Sequence, residues 1–533
     1  MKNWLPNKFI AALLLFAWAP SQSAAQDIAV FRALKCLDAT DLTCAVKIVE
    51  RFTEEEVSTA PEKLALRMRT RFHQGQYTDA VSDLQKLEQL GVKVDGGGAF
   101  PLRETSMAAM GLKDYRNSDS SVLVRCDPGI DRILADEAIE SLDQARAVLD
   151  PLFGGGPDHQ VRMDIYPTAN RFIAASGLPP EAVRTTGVIA LSKWNRLLLT
   201  SPRATSRGYA WRDTAVHEYV HLVVSWRSAD RVPVWLQEGL AKYLEAAWRG
   251  ERQNYLSAHQ QSLLAKAIRS DQFVPFEKFA RSMAYLDSGD EAALAFAQVA
   301  TMVGYFQTKA GDKGFSTLMD EIRNGTSSEE AVSTLSGHRD FESFKSGWRQ
   351  YISELPLVQE QLAALPLNLD GEGGEFADDP VLSKRADLAK FLRLGDLLMD
   401  AKRYNAALIE YAKAEDPNEP PSPLLMARRV ECYAALNQRE KAIQLGLEAT
   451  TLFPEVPRIR KALSVQLEAA ERWQDAVEHL RVAHEINPYD LTTESSLVRL
   501  YDTLGNAAAS ARHRRYYRIL SVGGARTESD QRP

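Results

Sequence analysis

Trp211-Arg212-Asp213-Thr214-Ala215-Val216-His217-Glu218-Tyr219-Val220-His221-Leu222-Val223-Val224 carries its apolar residues at helical spacing, and within it His217 and His221 stand four apart. On a helix that separation sets two imidazoles on one face, one turn from each other. Two neutral imidazoles so placed can bind one Zn²⁺ at about 2.0–2.1 Å, while Glu218, rotated to the side, reaches the water on the metal. His217 and His221 are candidate ligands and Glu218 a candidate general base.

A third ligand is needed, and the next segment offers one: Val232-Pro233-Val234-Trp235-Leu236-Gln237-Glu238-Gly239-Leu240-Ala241-Lys242-Tyr243-Leu244-Glu245. Asp230 is placed to cap a helix here, with Pro233 in its first turn, where a missing N–H does no harm. Trp226–Arg231 is long enough to reverse the chain, so the second helix packs back on the first and Glu238 faces the histidines. Asp213 and Glu245 read as solvated helix-face carboxylates, although Asp213, one turn before His217, could orient it. Tyr219, Tyr243 and Trp235 read as packing residues.

These two segments resemble the gluzincins, and within them the peptidase MA-like families of exported proteins. Aminopeptidase N-like enzymes carry a similar Trp-Leu-x-Glu-Gly-x-Ala stretch, and the resemblance makes Glu238 the third zinc ligand. It extends over Val122–Tyr351, where Ala295–Phe306, Gly311–Gly314 and Phe341–Tyr351 with Trp348 look like the closing helices of such domains. It implies an α+β zincin-like catalytic domain with Zn²⁺ as cofactor. The implied chemistry is peptide hydrolysis, with the metal lowering the pKa of its water toward ~7 and Glu218 passing the proton to the leaving amine. Phe296 departs from the pattern, since the group often has a Tyr there whose hydroxyl would serve a developing oxyanion. Tyr285 and Tyr243 are the candidate substitutes. The gap from His221 to Glu238 is also shorter than in the aminopeptidases by about two residues, which weakens transfer of substrate preference.

Upstream, Ser121–Cys126 and Val161–Tyr166 read as strands, separated by a helix over Ile130–Leu152 and a turn at Gly154-Gly155-Gly156-Pro157. Gly187–Leu191 and Arg196–Thr200 read as two more strands around Ser192–Asn195, able to hold an extended substrate by strand addition. Residues 115–355 thus form one α+β unit, strands first and helices after.

Downstream, Ala407, Ala442 and Ala476 recur at 35 and 34 residues, each opening an apolar helical stretch, with Ala414, Ala449 and Ala483 one further step along. Pro454 and Pro488 follow the second and third units. The pattern resembles tetratricopeptide repeats: Ala lets paired helices approach closely, and Pro ends the second helix of a pair. The array spans 386–520, and its degenerate last unit, with Ser510 in the Ala place and Arg512, Arg514 and Arg515 crowding one helix, reads as a polar cap. Such arrays mostly bind peptides or protein partners through a concave face, and a spacer or oligomerisation role is the alternative. The tail, 521–533, is expected to be disordered. Residues 356–385, with Asp370-Gly371-Glu372-Gly373, read as an exposed acidic linker. Residues 26–114 form a helical repeat-like domain around Tyr77 and Ala80, broken at Gly96-Gly97-Gly98.

The length, 533 residues, calls for about three domains, and the 45% hydrophobic content lets each have a core. Lys2, Lys8, the apolar run Phe9–Ala19 and Ser23-Ala24-Ala25 read as a cleaved signal peptide over 1–25, placing the protein in the periplasm or outside the cell. The net charge of −7 argues against nucleic acid as partner, and no later stretch reads as a membrane span. In an oxidising compartment Cys36 and Cys44 could staple a short helical region, while Cys126 and Cys432 complete the four. Two functions compete: an exported zinc peptidase whose repeats recruit protein, and a catalytically inactive metallopeptidase-like scaffold acting through its repeats.

Overall fold

The computed structural model describes residues 28–92, 102–181, 183, 187–250, 255–283, 286–369 and 374–530, with side chains to 522. The expected signal peptide, Gly96-Gly97-Gly98, Tyr285 and residues 370–373 of the acidic stretch lie outside the described residues. Among them, no helix is long and apolar enough to cross a membrane.

The N-terminal helices are α1 (Ile28–Asp38), α2 (Leu42–Val49), α3 (Glu54–Thr59), α4 (Pro61–His73), α5 (Tyr77–Gln89) and α6 (Leu102–Ala109). A Cys36–Cys44 disulfide joins α1 to α2, with a Cα–Cα distance of 5.7 Å. Cys126 and Cys432 are free and buried. The sheet opens at β1 (Lys113–Arg116), a strand the sequence did not announce, and continues through β2 (Val122–Cys126), α7 (Arg132–Leu152), β3 (Val161–Tyr166), α8 (Ala169–Ser176), β4 (Ala190–Lys193) and β5 (Arg196–Thr200). Strand order is β1-β2-β3-β5-β4, with β2, β3 and β5 mutually parallel and the two outer strands antiparallel to their neighbours.

Alternation along these strands sorts side chains to two faces. Val122, Val124, Val161, Met163, Ile165, Leu197 and Leu199 face the main core with α7 and the helix that follows β5. Tyr166 and Leu198 join Phe72, Tyr77 and Leu84 of α4 and α5 in a second core on the opposite face. The N-terminal helices are therefore the third layer over the sheet, and a boundary at residue 114 would cut β1.

Helices α9 (Trp211–Ser228), α10 (Val234–Leu244), α11 (Ala258–Ser270), α12 (Phe276–Phe279), α13 (Gly289–Ala310), α14 (Lys313–Asn324), α15 (Ser328–Leu335) and α16 (Phe341–Ser353) complete this unit. After it come α17 (Gly374–Ala377) and four helix pairs: α18 (Ala386–Asp400) with α19 (Tyr404–Lys413), α20 (Pro423–Ala435) with α21 (Arg439–Leu452), α22 (Pro457–Ala469) with α23 (Trp473–Ile486), and α24 (Leu491–Thr503) with α25 (Ala507–Asp530). Ala407, Ala442, Ala449 and Ala476 are fully buried, and Ser510 fills the same place in the last pair. Helices α21 and α23 end two residues before Pro454 and Pro488.

Four expectations are corrected. The 356–385 segment is not an exposed tether: Leu362, Asp379, Val381 and Leu382 are buried, because its leucines pack between α11 and the repeats, and Leu369 bridges to Thr205. The last pair is no polar cap, since Tyr516 and Leu520 enter the main core while Arg512 and Arg515 reach Glu140 and Asp136 of α7. Helix α25 runs on to Asp530, through residues expected to be without structure. Strand β4 covers 190–193 rather than 187–191, shifted toward the tight turn at Trp194 and Asn195, both at positive φ.

The repeats dock on α7 through a buried polar seam. His484 Nε2 meets Glu137 Oε1 at 2.8 Å, its Nδ1 meets Glu494 Oε1 at 2.5 Å, and His513 Nδ1 meets Glu494 Oε2 at 2.9 Å.

Candidate metal centre

Helix α9 ends where Ala229 and Asp230 both take positive φ, 52° and 58°, which turns the chain back. Helix α10 starts with Pro233 as its N-cap, so Pro233 lies one residue earlier than expected. Asp230 does not cap it; its carboxylate accepts from the Ser225 hydroxyl at 3.2 Å. Gly239 lets α10 cross α13 closely, since a Cβ there would stand 2.8 Å from the Val299 carbonyl oxygen. That close crossing seats the preceding residue, Glu238, over α9.

The rings of His217 and His221 lie 4.9 Å apart, centroid to centroid. Their Nε2 atoms converge on one oxygen, Glu238 Oε2, at 3.5 and 3.6 Å. Four tetrahedral bonds of about 2.0–2.1 Å put ligand atoms about 3.3–3.4 Å apart, so two nitrogens and a carboxylate oxygen at this spacing fit Zn²⁺. The three ligand atoms lie within 4.8 Å of one another.

The far sides of both rings are held as such a site requires. Glu245 Oε2 stands 3.1 Å from His217 Nδ1 and is itself anchored by Lys242. Gln237 Oε1 stands 3.1 Å from His221 Nδ1. The Ser225 proton goes to Asp230, so Ser225 Oγ accepts from the Gln237 amide at 3.3 Å, and this fixes the carbonyl oxygen of Gln237 toward His221. Each Nδ1 thus carries its proton, and Nε2 is the atom that each ring turns to Glu238 and would offer to a metal.

Glu245 overturns the solvated-surface reading. It follows Glu238 by seven residues, two turns along the same face, a signal the sequence contained. Asp213 does not orient His217; it is half-buried and accepts from Trp248 Nε1 at 2.9 Å and from Arg249. Gln237 was missed, because an amide next to a candidate ligand has no motif of its own.

Three carboxylates around two imidazoles make the centre strongly attractive to positive charge. Burial pulls the His217 imidazolium down, yet the bonds to Glu238 and Glu245 outweigh it and push its pKa to about 10. Burial raises Glu238, but the charge of His221 and both histidine bonds hold it far below the usual carboxylate range. Glu218 is buried beside them, and that burial pushes its pKa up against the pull of His221 and His217. The backbone amide of Ser192, on β4, faces its carboxylate. Thr200 N donates to Ile189 O at 2.7 Å, so odd-numbered residues of β4 turn their amides to β5, and those of Ala190 and Ser192 point to the free edge.

Tyr243 packs as expected, edge-on to Tyr255 at 4.8 Å, with its hydroxyl 3.5 Å from Gln307 Oε1. Phe296 is half-buried.

Residues 142–354 match the family model described as the Peptidase MA superfamily, a stretch that contains the whole centre and less than half of the chain. Small glutamine-rich tetratricopeptide repeat-containing protein 2 of Mycosarcoma maydis is 29% identical over 127 residues, 23% of this chain and 36% of its own. The chain thus spans about a third of the length of the curated relative it matches. Among solved structures, yeast LTA4 hydrolase in complex with bestatin aligns with a TM-score of 0.32 and 13% identity, over 76% of this chain and 67% of its own. The crystal structure of MamA aligns with a TM-score of 0.23 and 15% identity, over 28% of this chain and 84% of its own. The chain joins a stretch similar to the Peptidase MA superfamily to an array of tetratricopeptide-like helix pairs.

Proposed function

We propose that this chain is an exported zinc-dependent peptidase in which His217, His221 and Glu238 hold Zn²⁺ and Glu218 is the general base. The observation that carries the reading is the convergence of both Nε2 atoms on one Glu238 oxygen, with each Nδ1 held from behind. Bound zinc supplies an acidified water and polarises the scissile carbonyl.

Glu218 takes the proton of the attacking water and returns it to the leaving nitrogen. Its burial favours the first of these transfers, because a carboxylate whose pKa is raised is the stronger base. The free edge of β4 runs past Glu218, so a substrate added there as an antiparallel strand lays its backbone across the base. Export is supported by the basic, then apolar, then small-residue order of the first 25 residues and by the Cys36–Cys44 disulfide. The repeats are assigned to binding a protein substrate or partner.

Phe296 favours a second reading, an inactive metallopeptidase-like scaffold, because it cannot donate to an oxyanion. Comparing the wild type with Glu218→Gln on a peptide library, with zinc content measured on both, separates the two. Cleavage lost in the variant with zinc retained supports the peptidase. Cleavage by neither supports the scaffold.

A further inference from the structure

The sheet face turned away from α9 is unusually rich in buried cations. Arg125 on β2, Arg162 on β3 and Arg196 on β5 share that face by strand alternation, and Arg69 and His73 approach from α4. Their exposures are 7%, 3%, 0%, 7% and 8% in that order. The three sheet guanidinium carbons stand 4.5, 5.6 and 5.2 Å from the centre of the Tyr77 ring.

One fully buried carboxylate answers them. Asp164 accepts from Arg125 Nε at 2.9 Å and Nη2 at 3.3 Å, from Arg196 Nη1 at 3.1 Å and from the Tyr77 hydroxyl at 2.9 Å. Asp38, at the rim, faces Arg69 alone. Several buried nitrogens are left without an acceptor: Arg162 Nε and Nη2, Arg69 Nη1 and Arg196 Nε, with His73 Nδ1 beside them. Burial and, behind it, the charges of Arg69, Arg162 and Arg196 drive His73 down to about 3.

Arg162 is the informative residue. Nε and Nη2 form the edge with which a guanidinium grips a carboxylate or phosphate through two parallel bonds. Arg125 uses that edge on Asp164; the same edge of Arg162 has no acceptor. Aromatic faces accept cationic charge but leave these N–H groups unpaired, and an unpaired buried charge is among the costliest features a fold can carry.

We propose that this seam binds one small oxyanion of the phosphate or sulfate class, gripped by Arg162 and completed by Arg69 and Arg196. The anion neutralises the excess charge and ties the N-terminal helices to the sheet. It is independent of the zinc reading.

The probes are inorganic phosphate and sulfate, titrated separately into the mature chain at ionic strength fixed with sodium chloride. The expected result is a saturable rise of roughly 5 °C, at a hundredfold excess over the dissociation constant, in the Tm of the transition that melts the sheet and the N-terminal helices. About one equivalent of whichever anion is bound should also be released on denaturation and counted by ion chromatography. Both effects vanish in Arg162→Met and persist in Glu238→Gln, which separates this seam from the metal centre. Arg162→Met in chloride should melt no lower than the wild type, since it removes an unpaired buried charge. A wild-type Tm that phosphate and sulfate move no more than chloride does, with no anion released, overturns the proposal whether or not the variant folds. An anion response unchanged in Arg162→Met overturns it equally.

Discussion

Replacing His484 with leucine should undock the repeats from α7, and the size of the effect follows from what is left behind. His484 is 3% exposed between Glu137 and Glu494, themselves 4% and 0% exposed. Leucine keeps much of the volume but strands Glu137, and leaves Glu494 only His513 at 2.9 Å. Removing one partner of a buried ion pair costs about 3–5 kcal/mol, or roughly two to three and a half powers of ten in a local opening equilibrium. A chain of this size does not unfold in one step, so the assay is amide hydrogen exchange in α23 and α24, which should accelerate by that factor. Adding Glu137→Gln removes a stranded charge and should restore much of the protection.

The same seam gives a pH window. Burial lowers His484, but the charges of Glu137 and Glu494 more than offset it and raise its pKa from 6.5 to about 10. Its contribution is therefore complete below 6.5 and lost as pH rises through 10. Burial raises Glu137, but His484 outweighs this and brings it from 4.5 to about 2, so its contribution is complete above 4.5 and lost as pH falls through 2. Protection of α23 and α24 should be greatest between these two limits. Exchange in the His484→Leu variant within threefold of wild type, or a double variant no better protected than the single, would refute the reasoning and leave docking to Tyr516 and Leu520.

Glu245→Gln should weaken zinc binding about 10- to 100-fold in chelator competition, because His217 loses the carboxylate that fixes its ring; unchanged affinity would reduce Glu245 to a partner of Lys242. Ala190→Pro deletes one outward amide of β4 without touching a β4–β5 bond, and should raise KM about fivefold, the worth of one hydrogen bond near 1 kcal/mol, with zinc content unchanged. Unaltered kinetics would remove the strand-addition role.

The candidate centre was legible because its signals are local. His217 and His221 share one helical turn, and Glu238 sits in a stretch where Gly239 and Trp235 also have fixed packing jobs, Trp235 being buried against Phe276 and Phe341. The repeat period was legible for the same reason: Ala407, Ala442 and Ala476 each mark a close helix approach. What stayed hidden was pairing across distance. Glu137 and His484 are 347 positions apart, and neither residue type announces burial. Nothing in the strand pattern tells that Arg125, Arg162 and Arg196 are covered by a third layer. Asp230 looked like a cap because its spacing from α10 was right; two left-handed residues in a row gave its carboxylate to Ser225 instead.

The docking of the repeats bears on how they serve the centre. The C-terminal end of α23 meets the start of α9 directly: Ile486 O accepts from Tyr209 N at 3.0 Å, and a Cβ on Gly208 would collide with that same carbonyl, which explains the glycine. Next to it, Glu485 of α23 pairs with Arg249, and Arg249 pairs with Asp213 in the first turn of α9. Arg212, the neighbouring residue, donates to Ser141 of α7 at 2.7 Å, one turn from the Glu137 that holds His484. The helix carrying His217 and His221 thus begins against the third repeat pair, through a backbone bond and two charged relays. A repeat array used only as a flexible tether would need none of these, so a protein bound to the array, as proposed above, would be presented at a fixed position relative to α9.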